Sequence, residues 1–89
     1  MTDAYGWSEE LKCHWSRWEV AGPQSLAVYV EGWPDFDGLV RTATTLMADV
    51  TFVEVWTDEE SPQPRQKLSR HRDIWTLRTE GVTEGRIKV

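Results

Sequence analysis

The chain has 89 residues and carries a net charge of -5. This length is enough for one domain, which buries about 60 to 65% of its unfolded surface. The negative charge disfavours a nucleic-acid backbone as the main partner and mildly favours a basic one. The single cysteine, Cys13, excludes an intramolecular disulfide, and no N-terminal apolar run has the length of a signal peptide or a membrane span. We therefore predict a cytoplasmic protein with no membrane partner.

Residues 8 to 20 have two interpretations, a helix or a strand. A helix would be capped by Ser8 and would carry its large apolar side chains on one stripe. A strand from residue 13 would turn back through "AGPQ" into "SLAVYVE", in which apolar side chains occupy alternate positions. The aromatic, β-branched and small polar residues after residue 12 disfavour a helix. We predict the β-hairpin.

A helix is predicted from Phe36 to Asp49. Asp35 can accept hydrogen bonds from the free amides of its first turn. Apolar residues then recur at three- and four-residue spacing, which places on one stripe Phe36, Leu39, Val40, Ala43, Leu46, Met47 and Val50. "TFVEVW" follows as a strand, and a strand, helix, strand unit in one sheet has parallel strands in nearly all cases. The valines of both strands, Val28, Val30, Val53 and Val55, are expected to face the helix.

Residues 58 to 71 are predicted to form a long exposed loop, because they include two prolines and almost no apolar residue. Residues 72 to 79 alternate again and are predicted to form a strand antiparallel to the preceding one. Residues 80 to 89 are expected to be a loose C-terminal segment. The predicted fold is a single two-layer α+β domain of order β-β-α-β-β, with one helix packed on a four-stranded mixed sheet.

The stretches "VEGWPDFDGLVRTA" and "FVEVW" resemble small uncharacterised proteins of actinobacteria and their phages, in which a Trp-bearing hairpin runs into a similar helix and strand. The similarity covers about residues 15 to 57. It implies a bacterial or phage source, and it implies no activity and no functional residue.

Catalytic and metal chemistry have little support in the sequence. Cys13 and His14 are adjacent and His71 is the only other imidazole, whereas a zinc site normally needs four ligands in clustered pairs. A thiol-dependent hydrolase using Cys13 is a third alternative, but nothing marks an orienting group or an oxyanion hole. No phosphate loop or dinucleotide fingerprint is present. We predict no enzyme activity, no metal, no cofactor and no small-molecule substrate.

The sheet face opposite the helix is the strongest candidate for a binding site. Its expected members are Tyr29, Glu31, Phe52, Glu54, Trp56, Ile74 and Arg78. Fully exposed, the three rings alone would match or exceed the roughly 300 to 600 Å² of the largest apolar patch on a typical monomer. Three covers are possible: the N-terminal arm with Trp7 and Leu11, a second copy of the chain, or a foreign protein. The two glutamates suit a partner that offers Arg or Lys. We predict a protein-binding module or a homodimer.

A basic run is the best signal for the alternative function, nucleic-acid binding. It consists of Arg65, Lys67, Arg70, His71 and Arg72, close in sequence to aromatic residues. The same loop begins with three acidic residues, so a solvated segment that balances its own charge is the competing interpretation.

Overall fold

The computed structural model describes residues 5 to 57 and 60 to 88. In chain order its elements are β1 Gly6–Ser8, β2 Cys13–Gly22, β3 Ser25–Glu31, α1 Phe36–Leu46, β4 Phe52–Trp56, β5 Gln66–His71, β6 Ile74–Thr79 and β7 Val82–Lys88.

The strands lie side by side in chain order, from β1 at one edge to β7 at the other. Every neighbouring pair is antiparallel except β3 and β4, which are parallel and are connected through α1. The seven-stranded mixed sheet forms a half-barrel with one short helix. The predicted four-stranded β-β-α-β-β architecture is therefore wrong, whereas the β2–β3 hairpin and the parallel β3–β4 pair are confirmed.

The core lies between α1 and the side of the sheet that faces it. Val28, Val30, Val53 and Val55 are fully buried there, as their alternation in β3 and β4 predicts. The other buried members come from α1 and from segments along the chain between residues 11 and 77, namely Leu11, Cys13, Leu26, Leu39, Val40, Ala43, Val50, Leu68, Trp75 and Leu77. Half-buried Trp15 and Trp18 pack against this cluster, so much of the tryptophan content does fill core.

The first turn of α1 is held by segments from both edges of the sheet. The Asp35 amide donates to the Leu11 carbonyl oxygen over 2.7 Å, which ties the helix start to the turn between β1 and β2. On the other side, a Cβ built on Gly85 of β7 would lie 3.4 Å from the Phe36 ring. The hollow of the half-barrel therefore closes around the N-terminal end of the helix.

The helix begins where the sequence predicts and ends earlier. A side-chain oxygen of Asp35 accepts the Gly38 amide over 3.0 Å, which is the expected N-cap. Met47 already has extended backbone angles, φ -146° and ψ 101°, so the predicted end at Asp49 is wrong by three residues. The chain needs these residues to reach β4, and Val50 enters the core just before that strand.

The predicted loop from residue 58 to 71 is wrong in its second half. Residues 66 to 71 form β5, which inserts between β4 and β6, so β6 does not pair with β4 as expected. Leu68, the one large apolar residue of this stretch, is fully buried opposite Val53 and Leu77. One leucine on the core side is enough to pack β5 into the sheet, because both neighbouring strands supply the rest of the apolar contact. Residues 58 and 59 of the predicted loop lie outside the described residues.

The predicted loose C-terminus is also wrong for residues 82 to 88, which form β7. A tight turn with positive φ at Glu80 and Gly81 reverses the chain after β6. All residues of β7 except Gly85 and Ile87 are exposed, so the strand tolerates a polar sequence with no apolar alternation.

Candidate functional site

The outer face is the side of the sheet that points away from α1, and all seven predicted partner-binding residues lie on it. Strand register arranges its side chains in rows that cross the sheet. The first row is Arg17, Tyr29 and Trp56; the second is Glu19, Ala27, Glu54, Lys67, Arg78 and Thr83; the third is Ser25, Phe52, Ser69, Thr76 and Arg86. Ile74 lies beyond the third row, opposite His71 and Lys88.

The first row is a continuous stack of a cation and two rings. The guanidinium carbon of Arg17 lies 4.0 Å from the centroid of the Tyr29 ring. Tyr29 in turn stacks on Trp56, with 6.3 Å between ring centroids and 23° between their planes. Each such contact contributes about 0.5 to 1.5 kcal/mol in favourable geometry. The row therefore presents aromatic surface in a fixed arrangement.

Sequence alternation alone does not place Arg17 in this row. Cys13 and Trp15 point into the core, so strict alternation would send Arg17 there too. An irregularity in β2 between Trp15 and Arg17 adds one residue to the strand and moves Arg17 to the outer face, opposite Tyr29. A β-bulge has no dependable signal in a single sequence.

Two carboxylates of the second row satisfy the polar atoms of the rings. The Tyr29 hydroxyl donates to Glu19 over 2.9 Å, and the Trp56 indole nitrogen donates to Glu54 over 3.1 Å. Glu54 also lies opposite Lys67 on the neighbouring strand. The indole hydrogen bond engages one oxygen of Glu54, and the carboxylate keeps further acceptor positions for an incoming Arg or Lys.

The third row contains an aromatic residue that is more than half exposed. Phe52 keeps 54% of its surface accessible, and Ile74 keeps 41%. Of the three possible covers, the N-terminal arm does not lie over these rings in its described part, residues 5 to 11. Leu11 is 1% exposed within the core cluster, and the Trp7 ring lies edge-on to His14, 5.3 Å between centroids.

The predicted basic run does not form one surface. Lys67 and His71 point to the outer face, whereas Arg70 occupies an intervening position opposite Trp75, and Arg72 lies in the turn after β5. Arg65 precedes the strand and packs on Trp33. The outer face instead gains two cations that sequence reasoning does not place there, Arg86 and Lys88 of β7, because the sequence predicts a loose segment from residue 80 to 89.

A pocket of about 480 Å³ opens at the ends of β5 and β6. Its lining is mostly polar and consists of Gln63, Pro64, Arg65, Lys67, Arg78, Glu80 and Gly81. We refer to it as the cationic pocket. It adjoins the outer face, because Lys67 and Arg78 belong to both.

A second groove of about 470 Å³ lies between β2 and α1. Its lining is aromatic and acidic and includes Trp7, Glu9, Glu10, Trp15, Trp18 and Leu46. Glu9 and Glu10 already accept hydrogen bonds from Trp7 and Ser8, over 3.0 and 3.2 Å.

The geometry around Cys13 gives no support to a thiol nucleophile. Cys13 is 5% exposed, and His14 follows it on the opposite side of β2, so this imidazole points away from the thiol. Burial raises the pKa of the Cys13 thiol, and the nearby charge of Arg65 only partly offsets this. Nucleophilic cysteines need the reverse, a lowered pKa.

Residues 5 to 57 and 60 to 88 contain neither a cluster placed to hold a metal ion nor a helix that could span a membrane. A cluster of this kind would need three or more His, Cys, Asp or Glu side chains, and the helix in this part of the chain is too short to cross a membrane.

Comparison with known proteins gives no relative that carries a function to this chain. No protein-family model matches it, and no curated protein or solved structure matches it either. The resemblance to actinobacterial and phage proteins stays a prediction.

Proposed function

We propose that the chain is a small non-enzymatic protein-binding module that engages its partner with the outer face. The observation that carries this proposal is the exposure of Phe52, 54% of whose surface is accessible on the same face as the Tyr29–Trp56 stack. A phenylalanine that stays exposed gains no hydrophobic stabilisation on folding, so its apolar surface is available for burial against a partner.

The outer face has the features of a binding hot spot. Interface hot spots are enriched in Trp, Tyr and Arg that are held before the partner arrives, because ordering flexible side chains costs affinity. Arg17, Tyr29 and Trp56 are such a set, held by the cation–π and stacking contacts described above. Phe52 and Ile74 extend the apolar area toward β6.

The charge of the outer face favours an acidic surface on the partner. Exposed cations line its β5 to β7 side, namely Lys67, Arg78, Arg86 and Lys88. Two ion pairs of the described residues, Arg17 with Glu19 and Arg41 with Asp37, do not involve these four cations. The expectation of a partner that also offers Arg or Lys to Glu31 and Glu54 stays a prediction. Following the resemblance noted above, we propose a phage-encoded chain aimed at an acidic host protein.

The test is capture of partners with two matched variants. Phe52→Asp places a carboxylate in the exposed centre of the outer face, and Val20→Asp makes the same change at a strand residue that is 70% exposed outside that face. We expect immobilised wild type and Val20→Asp to retain the same proteins from actinobacterial cytosol, and Phe52→Asp to lose them. If Phe52→Asp retains what wild type retains, the outer face is not the site.

Self-association through the same face is measured by sedimentation over a hundredfold range of concentration. A dimer that dissociates on dilution and is abolished by Phe52→Asp would replace the foreign partner with a second copy. A monomer throughout supports a foreign partner.

Nucleic-acid binding is a second candidate, because the four cations of β5 to β7 lie beside stacking rings on one face. Single-stranded oligonucleotide bound with four phosphate contacts would lose affinity with a log–log salt slope of roughly -3. Fluorescence anisotropy with labelled oligothymidine at two salt concentrations tests this candidate. Tight binding that weakens with this slope would favour nucleic-acid binding over protein binding. The net charge of -5 opposes this candidate.

A further inference from the structure

The cationic pocket concentrates positive charge in an acidic chain. Its charged lining residues are three cations, Arg65, Lys67 and Arg78, and one carboxylate, Glu80, whereas the whole chain carries -5. This charge imbalance is local, and it occurs in a concave site of about 480 Å³. A concave cationic site concentrates anions from solution.

Lys67 and Arg78 are placed directly opposite each other on β5 and β6. Like charges at directly opposite positions of an antiparallel pair destabilise the sheet. Glu54 lies opposite Lys67 on the other side, but it also accepts the Trp56 indole hydrogen bond. An anion between Lys67 and Arg78 would remove the repulsion, because it would pair with both.

Arg65 supplies a cation that is already fixed in position. Its guanidinium carbon lies 3.7 Å from the centroid of the Trp33 ring, and Nη2 donates to the Gly32 carbonyl oxygen. Its Nε atom is buried and has no hydrogen-bond partner within the described part of the chain. The side chain therefore loses little further conformational entropy when a ligand pairs with it.

We propose that the cationic pocket binds a phosphate monoester dianion. Two negative charges and three acceptor oxygens match three cations and the amide of Gln63 better than a single carboxylate does. The phosphate is either free in solution or carried by a phosphoserine of the partner protein. In the second case the inference rests on the proposed function, because the rest of that partner would lie on the outer face.

The first experiment uses inorganic phosphate and no partner. Backbone amide shifts of the full chain are followed by NMR during titration with sodium phosphate at constant ionic strength, with sodium chloride as the reference. We expect saturable shifts at residues 63 to 67 and 78 to 81, and apparent affinity about tenfold or more weaker in Arg78→Gln. Arg41→Gln is the matched control, an exposed arginine of α1 that does not line the pocket or belong to the outer face, and it should bind phosphate like wild type.

Absence of saturable shifts would overturn the proposal, as would equal shifts in chloride or an affinity unchanged by Arg78→Gln. Arg78 is exposed, so loss of binding in Arg78→Gln is not confounded by unfolding, which the amide spectrum checks directly.

Two further ligands separate the sources of the phosphate. A short phosphoserine peptide that binds more tightly than inorganic phosphate, with its unphosphorylated form not binding, assigns the pocket to a partner protein. Equal binding of phosphate and peptide assigns it to a free phosphate. Oligothymidine that binds more tightly than both would overturn the assignment to a monoester. Phe52→Asp should leave phosphate binding intact. A wrong proposal for the outer face can therefore be distinguished from a wrong proposal for the cationic pocket.

Discussion

The backbone of Gly38 in α1 lies directly against the carbonyl group of Glu10 in the turn between β1 and β2. A Cβ built on Gly38 would lie 1.7 Å from the Glu10 oxygen and 2.7 Å from its carbonyl carbon. The obstacle is backbone, which cannot swing aside as a flexible side chain can. The helix docks onto the N-terminal turn only because position 38 has no side chain.

Gly38→Ala is therefore expected to destabilise the protein, by about 1 to 3 kcal/mol or more, although alanine normally favours a helix. Gly6→Ala is the control, since a Cβ there meets nothing within 4 Å. Urea denaturation of both variants measures the difference. Equal midpoints for Gly38→Ala and wild type would show that the turn moves freely away from the helix.

The two faces of β4 are expected to respond oppositely to the same substitution. Val53 is fully buried against the core, so Val53→Asp buries an unpaired carboxylate and should prevent folding. Phe52→Asp, one residue earlier on the outer face, should stay folded because that side chain is 54% exposed. Circular dichroism and thermal melting of the pair test the assignment. Two folded variants, or two unfolded ones, would contradict it.

Strand β5 is tested by removing the apolar side chain that fixes it. Leu68→Ala should cost about 2 to 5 kcal/mol, because Leu68 is fully buried and the neighbouring strands cannot collapse into the gap. Lys67→Ala, at an exposed position next to it, should change stability by only about 0.5 kcal/mol. If the free energies of unfolding show that Leu68→Ala costs no more than Lys67→Ala, this stretch is the exposed loop that its composition suggests.

The buried thiol is expected to make stability fall in alkaline solution. Burial raises the folded-state pKa of Cys13 above its ordinary value of 9.0, so above that pH the unfolded chain releases the proton first. The stabilisation is complete below pH 9.0 and is lost as the pH rises through the folded-state pKa. Cys13→Ala lacks this loss, so the stability gap between the two proteins should narrow as the pH rises above 9.0. Parallel pH profiles from denaturant titrations would contradict the prediction.

Local patterns in the sequence predict the centre of the fold correctly. The alternation of Val28 and Val30 and the cap at Asp35 define β3 and the start of α1, because each depends on a few neighbouring residues. The same alternation assigns Tyr29, Phe52 and Trp56 to the outer face. These features need no knowledge of distant parts of the chain.

Strands β5 and β7 have no comparable local signal. Leu68 alone marks the core side of β5, and β7 has mostly exposed polar residues. Each becomes a strand because a neighbouring strand offers a complete row of backbone hydrogen-bond donors and acceptors. The stabilisation of β5 and β7 therefore comes mainly from strand pairing and not from their own side chains. Stabilisation by pairing with a distant strand cannot be predicted from the five or six residues of the strand alone.

The sequence by itself determined the outer-face rings, the crossover around α1 and the absence of a disulfide. Only the tertiary structure decided which charges accompany the rings, since the bulge before Arg17 reverses the alternation of β2 and the pairing of β5 with β6 sets Lys67 opposite Arg78. The physical reason is the range of the interactions. Alternation and capping act between residues close in sequence, whereas register and bulges are fixed by hydrogen bonds and packing between strands across the whole sheet.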